Sequence, residues 1–197
     1  FDNDPNGPHK NMFEYARENN VKLLASIGGW SMCKHFPEMA ADPVKKAKFI
    51  ADCEKLIDMG FDGIDLDWEY PGTEGRNISN FSDDDYANFT LLVKDIREAI
   101  GPDKLITSCF SCDTKKLEKF EWSEIDKYLD YFNVMSYDMN GGWSDITGHL
   151  APLYAEGEGL SWDKVFKYLT VTAELDPAKI NMGMPFYGRS VITKEAG

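Results

Sequence analysis

Residues 61–71 read Phe61-Asp62-Gly63-Ile64-Asp65-Leu66-Asp67-Trp68-Glu69-Tyr70-Pro71, and they place four acidic side chains within eight residues of an otherwise apolar segment. If the segment is a β-strand, its spacing of two directs Asp65, Asp67 and Glu69 to one face and the alternating apolar residues to the other. Three neighbouring carboxylates in a buried strand oppose folding, because their repulsion and their desolvation both cost free energy. The segment therefore predicts an enzyme.

Strand-like and helix-like segments alternate on both sides of this stretch. Short apolar runs predict five strands, at about 21–27, 61–68, 105–110, 131–136 and 179–185. Capping residues and helical stretches predict five helices, at about 9–19, 42–59, 82–100, 123–129 and 161–175. Alternation of this kind is typical of a parallel sheet with helices packed outside it, so the fold class is α/β.

Unusual polar residues collect where the predicted strands end. They are found in the segments Ser26-Ile27-Gly28-Gly29-Trp30, 65–70, Tyr137-Asp138 and Tyr187-Gly188-Arg189. A TIM (β/α)8 barrel builds its active site at that end from several strands. A doubly wound sheet usually carries a glycine-rich phosphate loop, and the glycines after the first strand lack that spacing. The barrel is therefore the preferred architecture.

Bulk properties narrow the class of partner. The formal net charge is −13, which argues against nucleic acids and anionic membranes, since both bind cationic surfaces. No apolar run is long enough for a transmembrane helix. Cys109 and Cys112 form one isolated C-x-x-C, and the other two cysteines (Cys33 and Cys53) and the three histidines are scattered, so we expect free thiols and neither metal nor cofactor.

The acidic strand suits glycoside hydrolysis, which needs a protonated acid for the leaving oxygen and a second carboxylate. Glu69 lies at the mouth of the strand and is expected to reach furthest toward solvent, with Asp67 and then Asp65 deeper. Close carboxylates cannot all ionise together, so the group is expected to hold at least one proton near neutral pH. A divalent-metal site and a set of surface carboxylates are the alternative interpretations.

Four separated motifs carry a resemblance to a known family. Asp62-x-x-Asp65-x-Asp67-x-Glu69 resembles the D-x-x-D-x-D-x-E signature of the family 18 glycoside hydrolases, the chitinases and their relatives. Ser26-x-Gly28-Gly29, Met135-x-Tyr137-Asp138 and 185–189 (Pro-Phe-Tyr-Gly-Arg) resemble three further motifs of that family, in the same order.

The resemblance implies that the substrate supplies the nucleophile, and the family is an exception to the two-carboxylate scheme. It implies hydrolysis of β-1,4-N-acetylglucosamine linkages in chitin, with retention, by attack of the sugar's own 2-acetamido group. Glu69 would be the acid and later the base, and Asp67 would orient the acetamide N–H. Asp65 would share a proton with Asp67, and Tyr137 would bind the acetamide oxygen. Asp62, Ser26, Gly28 and Gly29 would give structural support.

Aromatic residues at the strand ends predict a groove for a sugar polymer, because sugar rings stack on aromatic faces. The residues expected to bind chitin or N-acetylglucosamine oligosaccharides are Trp30, Tyr70, Met135, Asp138, Trp143, Tyr187 and Arg189. Trp68 faces away from the carboxylates and is predicted to lie in the core, and Trp122 and Trp162 are predicted to be structural.

The motifs correspond to the third through seventh strands of the family's eight. We therefore expect residues 1–197 to form a single, partial catalytic barrel, incomplete at both ends, from a longer protein; the activity of this chain alone is open. A non-catalytic chitin-binding lectin and an endo-β-N-acetylglucosaminidase are the alternative functions. Three N-x-[ST] triplets, at Asn77, Asn80 and Asn88, would be acceptors in a protein secreted by a eukaryote, and we expect a secreted, extracellular protein.

Overall fold

The structure is a computed structural model that describes residues 11–192 of the chain. Its centre is a five-stranded sheet in which all neighbouring strands are parallel and follow the order of the sequence. The strands are β1 (Leu24–Gly28), β2 (Gly63–Asp67), β3 (Leu105–Ser111), β4 (Tyr131–Met135) and β5 (Ile180–Met182). Sequential parallel strands joined by helices are the repeating unit of a TIM barrel, so the predicted fold class is confirmed.

Six α-helices flank the strands in the described part of the chain. They are α1 (Met12–Glu18), α2 (Phe36–Ala41), α3 (Pro43–Asp58), α4 (Asp84–Ile100), α5 (Trp122–Ile125) and α6 (Trp162–Lys167). The start of α3 shows why the sequence predicts its boundary: Asp42 accepts hydrogen bonds from the main-chain N–H groups of Val44 and Lys45, and Pro43 occupies the first helical position.

An aromatic layer joins the sheet to the helices. Trp68 is 1 % exposed and packs on Phe36 and Phe89, with ring centroids 5.4 and 6.4 Å away. Phe110 of β3 continues the layer to Phe132 of β4 at 5.5 Å. Trp68 thus lies in the core as predicted. The aromatic packing holds β2 in place from the side opposite its carboxylates.

Several predicted bounds differ from the structure, among them those of the first and last helices and of β5, and one helix was not predicted. The first helix is shorter, Met12–Glu18, and the part of the prediction at residues 9 and 10 lies outside the described residues. The last helix was predicted as one segment, but it changes after Lys167 into a π-helical turn, Tyr168–Thr172, where β-branched residues lower helix propensity. Sequence reasoning missed α2, although Pro37 near its start and Glu38 in its first turn are start signals.

Candidate active site

The three predicted carboxylates lie on one face of β2 and its extension. Asp65 and Glu69 are each 8 % exposed, and Asp67 is half-buried. Ile64 and Leu66 are fully buried on the opposite face, against the helices. The period of two therefore separates a buried acidic face from the apolar core, as the spacing predicts.

Asp65 is held by donors from three neighbouring strands. Its Oδ2 accepts a hydrogen bond of 2.6 Å from the Ser26 hydroxyl on β1, and its Oδ1 accepts bonds of 2.5 Å from the Thr107 hydroxyl on β3 and 3.1 Å from the Asn133 amide on β4. The Cys109 thiol is a fourth, longer donor at 3.7 Å. These contacts hold the Asp65 carboxyl group at the centre of the sheet.

Sequence reasoning found Ser26 but missed Thr107 and Asn133. Thr107 is the register partner of Asp65 across β2 and β3, and its side chain is buried. Polar residues inside predicted strands were the available signal, because a buried polar group needs a partner.

Asp67 lies next to Asp65 along the strand. Burial raises the pKa of Asp67, and the negative charge of Asp65 raises it further, while the Cys109 thiol acts in the opposite direction. Among the described residues, Oδ1 of Asp67 is buried without a hydrogen-bond partner. Burial thus makes ionisation of Asp67 more costly, and its unpartnered Oδ1 is available to accept a hydrogen bond from a ligand.

Glu69 is two residues beyond the end of β2, and its position corrects one expectation. It was predicted to reach furthest toward solvent, yet it is as buried as Asp65 because loops pack over it. A Cβ atom added at Gly75 would lie 2.2 Å from the Glu69 carbonyl oxygen, which shows how closely that loop approaches. Burial raises the pKa of Glu69, the charge of Asp67 adds to the rise, and Tyr70, Lys116 and the Trp30 main chain oppose it.

Tyr137 is two residues beyond the end of β4, where Met135 is half-buried. Burial raises the pKa of Tyr137 to about 12, so its hydroxyl remains protonated and is able to donate a hydrogen bond. A Cβ atom added at Gly183 would lie 2.8 Å from the Tyr137 ring, and the ring of Tyr187 is 6.2 Å away. The tyrosine is therefore packed between the ends of β4 and β5.

Four of the predicted sugar-binding residues contact one another beyond these strand ends. The Asp138 carboxylate accepts a hydrogen bond of 2.7 Å from Nε of Arg189, which lowers the pKa of Asp138. The Arg189 guanidinium lies 4.9 Å from the ring centroid of Trp143 and 5.8 Å from that of Tyr187. The loop after β4 is thus joined to the segment after β5 by charge and by cation–π contacts.

A second aromatic pair borders the other side of the acidic face. The rings of Trp30 and Tyr70 lie 6.5 Å apart, and Nζ of Lys116 lies 4.1 Å from the Tyr70 centroid. Trp30 is 49 % exposed and Trp143 is 62 % exposed, so both present ring faces to solvent. Aromatic surface is therefore available on both sides of the carboxylates.

The residues predicted to give structural support lie at the end of β1 and just before the start of β2. Gly28 has φ +119°, and a Cβ atom there would lie 2.2 Å from the carbonyl oxygen of Asp67. Gly29, with φ +90°, donates its N–H to the same oxygen at 2.8 Å. Asp62 lies at the opposite end of the strand, where its carboxylate binds the N–H of Leu23 and the ammonium group of Lys22.

Over residues 11–192, no three histidine, cysteine, aspartate or glutamate side chains form a group arranged for a metal ion, and Cys33, Cys53, Cys109 and Cys112 are free thiols. None of the helices in the described range is long and apolar enough to cross a membrane.

Comparisons with known proteins identify similar sequences and similar folds. The model of the family described as "Glycosyl hydrolases family 18" matches residues 2–197. Chitinase A1 of Niallia circulans is 32 % identical over 86 % of this chain and 27 % of its own length. The chain therefore spans about a quarter of that relative.

Two solved structures are similar in both sequence and fold. The chitinase domain of the spore coat protein CotE from Clostridium difficile is 34 % identical with a TM-score of 0.83, over 90 % of this chain and 53 % of that one. The Group IV chitinase of Ostrinia furnacalis, solved in complex with allosamidin, is 33 % identical with a TM-score of 0.79, over 88 % of this chain and 49 % of that one.

Proposed function

This chain belongs to family 18 of the glycosyl hydrolases, and from that membership we propose that it carries the catalytic centre of a secreted chitinase. Its five strands correspond to the third through seventh strands of the family's barrel. The proposed substrates are chitin and oligosaccharides of β-1,4-linked N-acetylglucosamine. The observation that carries the proposal is the row Asp65, Asp67 and Glu69 on one buried face of β2.

In the first step, Glu69 protonates the glycosidic oxygen as the bond from that oxygen to the anomeric carbon breaks. The raised pKa of Glu69 supports this assignment, because a general acid must still hold its proton at the working pH. The carbonyl oxygen of the substrate's own 2-acetamido group forms the new bond to the anomeric carbon, which gives an oxazolinium ion and a sugar leaving group.

Asp67 and Tyr137 are proposed to hold the acetamide group during this attack. Asp67 accepts a hydrogen bond from the acetamide N–H and stabilises the developing positive charge, and the Tyr137 hydroxyl donates to the acetamide oxygen. Two features support these roles: Oδ1 of Asp67 has no partner among the described residues, and the Tyr137 hydroxyl is protonated over the whole working range.

In the second step, the ionised Glu69 removes a proton from water, and the water oxygen attacks the anomeric carbon as the oxazolinium ring opens. Both steps invert the anomeric centre, so the net result is retention. Asp65 is proposed to exchange a proton with Asp67 between the steps; its contacts to Ser26, Thr107 and Asn133 would hold it in place for that exchange.

The exposed rings of Trp30, Trp143 and Tyr187 and the partly buried ring of Tyr70 are proposed to bind successive sugars by stacking. Asp138 and Arg189 are proposed to bind sugar hydroxyls with the polar atoms that their own ion pair leaves available. Allosamidin, which occupies the related chitinase of Ostrinia furnacalis, is expected to compete with the substrate here.

Glu69→Gln tests the proposal directly. The amide keeps the size of the side chain but cannot donate the acid's proton, so kcat for cleavage between two sugars of an N-acetylchitooligosaccharide is expected to fall by roughly 10²- to 10⁴-fold. The assay uses the full-length protein, and Glu54→Gln, an exposed change on α3, is the matched control. Equal rates for Glu69→Gln and its parent would contradict the acid assignment.

The same assay separates the alternative functions. Binding of the oligosaccharide without turnover by the parent protein would indicate a lectin. Release of glycans from a glycoprotein, without cleavage of chitin oligosaccharides, would indicate an endo-β-N-acetylglucosaminidase. The anomer that forms first, measured by NMR, tests retention: the β-anomer is expected.

A further inference from the structure

We propose that Cys33 is a positioning residue for the general acid, because its thiol holds the main chain of Glu69 at the end of β2. The inference rests on the proposed function for its catalytic meaning. The contact itself is a property of the fold and is tested separately below.

The thiol contacts the main chain on both sides of the gap between β1 and β2. Sγ of Cys33 lies 3.0 Å from the carbonyl oxygen of Asp67, 3.2 Å from that of Gly29 and 3.3 Å from the Glu69 nitrogen. A thiol has one hydrogen to donate and a sulfur that accepts weakly. The S–H is therefore shared between the two carbonyls, and the sulfur accepts the N–H of Glu69.

These contacts connect β1 and β2 beyond the last main-chain hydrogen bond between them. The register of β1 and β2 ends at the pair Gly28 and Asp67, followed by the bond from the Gly29 N–H to the Asp67 carbonyl. The N–H of Glu69 comes after this point and is buried, so without a partner it would cost the free energy of an unsatisfied donor. The side chain of Cys33 supplies that partner.

The site fits a protonated thiol. Cys33 is 1 % exposed, and burial raises the pKa of its thiol to about 11, so the S–H stays protonated at the pH at which a glycosidase works. A Cβ atom added at Gly28 would lie 3.2 Å from this sulfur, which leaves little space around it. The sulfur is thus a fixed point of contact between the loop after β1 and the acid.

The position of the Glu69 main chain determines where its carboxyl group meets the glycosidic oxygen. Small displacements of a catalytic group have large effects on rate, about 100-fold for 1 Å. The same thiol contacts Gly29, so it joins the loop after β1 to the main chain of the acid. Loss of the thiol is therefore expected to affect the chemical step more than substrate binding.

Cys33→Ala and Cys33→Ser in the full-length protein test the inference, with Cys53→Ala as the control. Cys53 is equally buried but lies on α3, so its truncation costs stability without altering the contact to Glu69. We expect Cys33→Ala to lower kcat by about 10-fold or more with little change in KM, because one acid–base contribution is impaired. Cys33→Ser keeps a donor and an acceptor and is expected to recover part of the rate.

The leaving group provides a readout that general destabilisation would not change. A nitrophenolate leaves with little help from an acid, whereas a sugar alkoxide needs full protonation. Cys33→Ala is therefore expected to slow cleavage between two sugars more than release of nitrophenol, and Cys53→Ala to slow neither. Equal deficits on both substrates, or an unchanged kcat, would overturn the positioning role.

Amide hydrogen exchange at Glu69 separates failure of this inference from failure of the proposed function. Exchange is expected to become faster in Cys33→Ala and to stay unchanged in Cys53→Ala. If the parent protein has no turnover but this difference appears, the contact stands and the chitinase proposal falls. If the Glu69 amide exchanges equally in the parent and in Cys33→Ala, the inference is wrong.

Discussion

The protonation of Glu69 depends on a small number of identified neighbours. Its pKa is raised by burial first and by the charge of Asp67 second, and it is lowered by Lys116, whose ammonium group lies over the Tyr70 ring. One negative and one positive neighbour therefore shift the pKa of this buried acid in opposite directions, and a hydrogen bond with Tyr70 also lowers it. Changing either charge changes the pH at which the acid loses its proton.

Lys116→Gln tests this balance. Removal of the positive charge raises the pKa of Glu69, and since the acid must be protonated to act, the alkaline limb of the pH profile of kcat/KM is expected to move to higher pH. Lys115→Gln removes the same charge from the exposed neighbouring residue and should leave the limb in place. A limb that stays in place or moves to lower pH in Lys116→Gln would contradict the assignment.

Individual residues differed in how well the sequence predicted them. The alternation of Asp65, Asp67 and Glu69 was predictable, because it needs only the period of one strand. Thr107 and Asn133 were missed because their contact with Asp65 depends on the register between strands, which short motifs do not encode. The burial of Glu69 was also missed, since it depends on the path of a loop.

At the scale of elements, two glycines allow β2 to lie close to its neighbours, one on the side of β1 and one on the side of β3. Gly28 lies against the Asp67 carbonyl and leaves no room for a side chain, and Gly63 lies equally close to the carbonyl of Leu105 on β3. The catalytic strand is therefore closely packed against main chain on both sides. This close packing explains why one of the family's motifs is rich in glycine directly beside the acidic strand.

Gly28→Ala is expected to separate β1 from β2 and to lower both stability and kcat. The new methyl group would collide with main chain, and overpacking of this kind costs about 1–3 kcal/mol, in addition to the strain of its positive φ. Gly101→Ala is the control, because Gly101 has φ +81° but no atom within 4 Å of the new Cβ. It should lose stability through strain alone, about 1–3 kcal/mol, with kcat unchanged.

Denaturant unfolding and steady-state kinetics measure the two effects separately. A Gly28→Ala protein with the kinetics of its parent would show that β2 keeps its place without the close approach of β1.

The whole sheet could be predicted because each strand and helix has a local signal and the order follows from right-handed crossovers between parallel strands. Boundaries were less accurate: α6 ends early at a π-helical turn, and α2 lies in a segment for which the sequence predicted no element. The ion pair of Asp138 with Arg189 joins residues far apart in sequence, and their motifs alone gave no sign that they contact each other.

The stability of the whole molecule is expected to fall as the pH rises above the ordinary carboxyl pKa of about 4. Asp67, Glu69 and Asp85 have pKa values raised chiefly by burial, so they contribute stability that is lost as the pH rises through their folded-state values. The lowered pKa of Asp62 acts in the opposite direction, but its contribution to stability is complete above the ordinary carboxyl pKa of about 4, so it does not change stability at higher pH.

The net charge of −13 also lowers stability as the pH rises, because like charges repel one another. Salt screens this repulsion without affecting the buried groups. Denaturant unfolding at high salt measures the free energy of unfolding at each pH. This free energy should still decrease as the pH rises, and the decrease should be smaller in Glu69→Gln than in the parent. An equal decrease in both proteins would show that Glu69 ionises as easily in the folded chain as in the unfolded one.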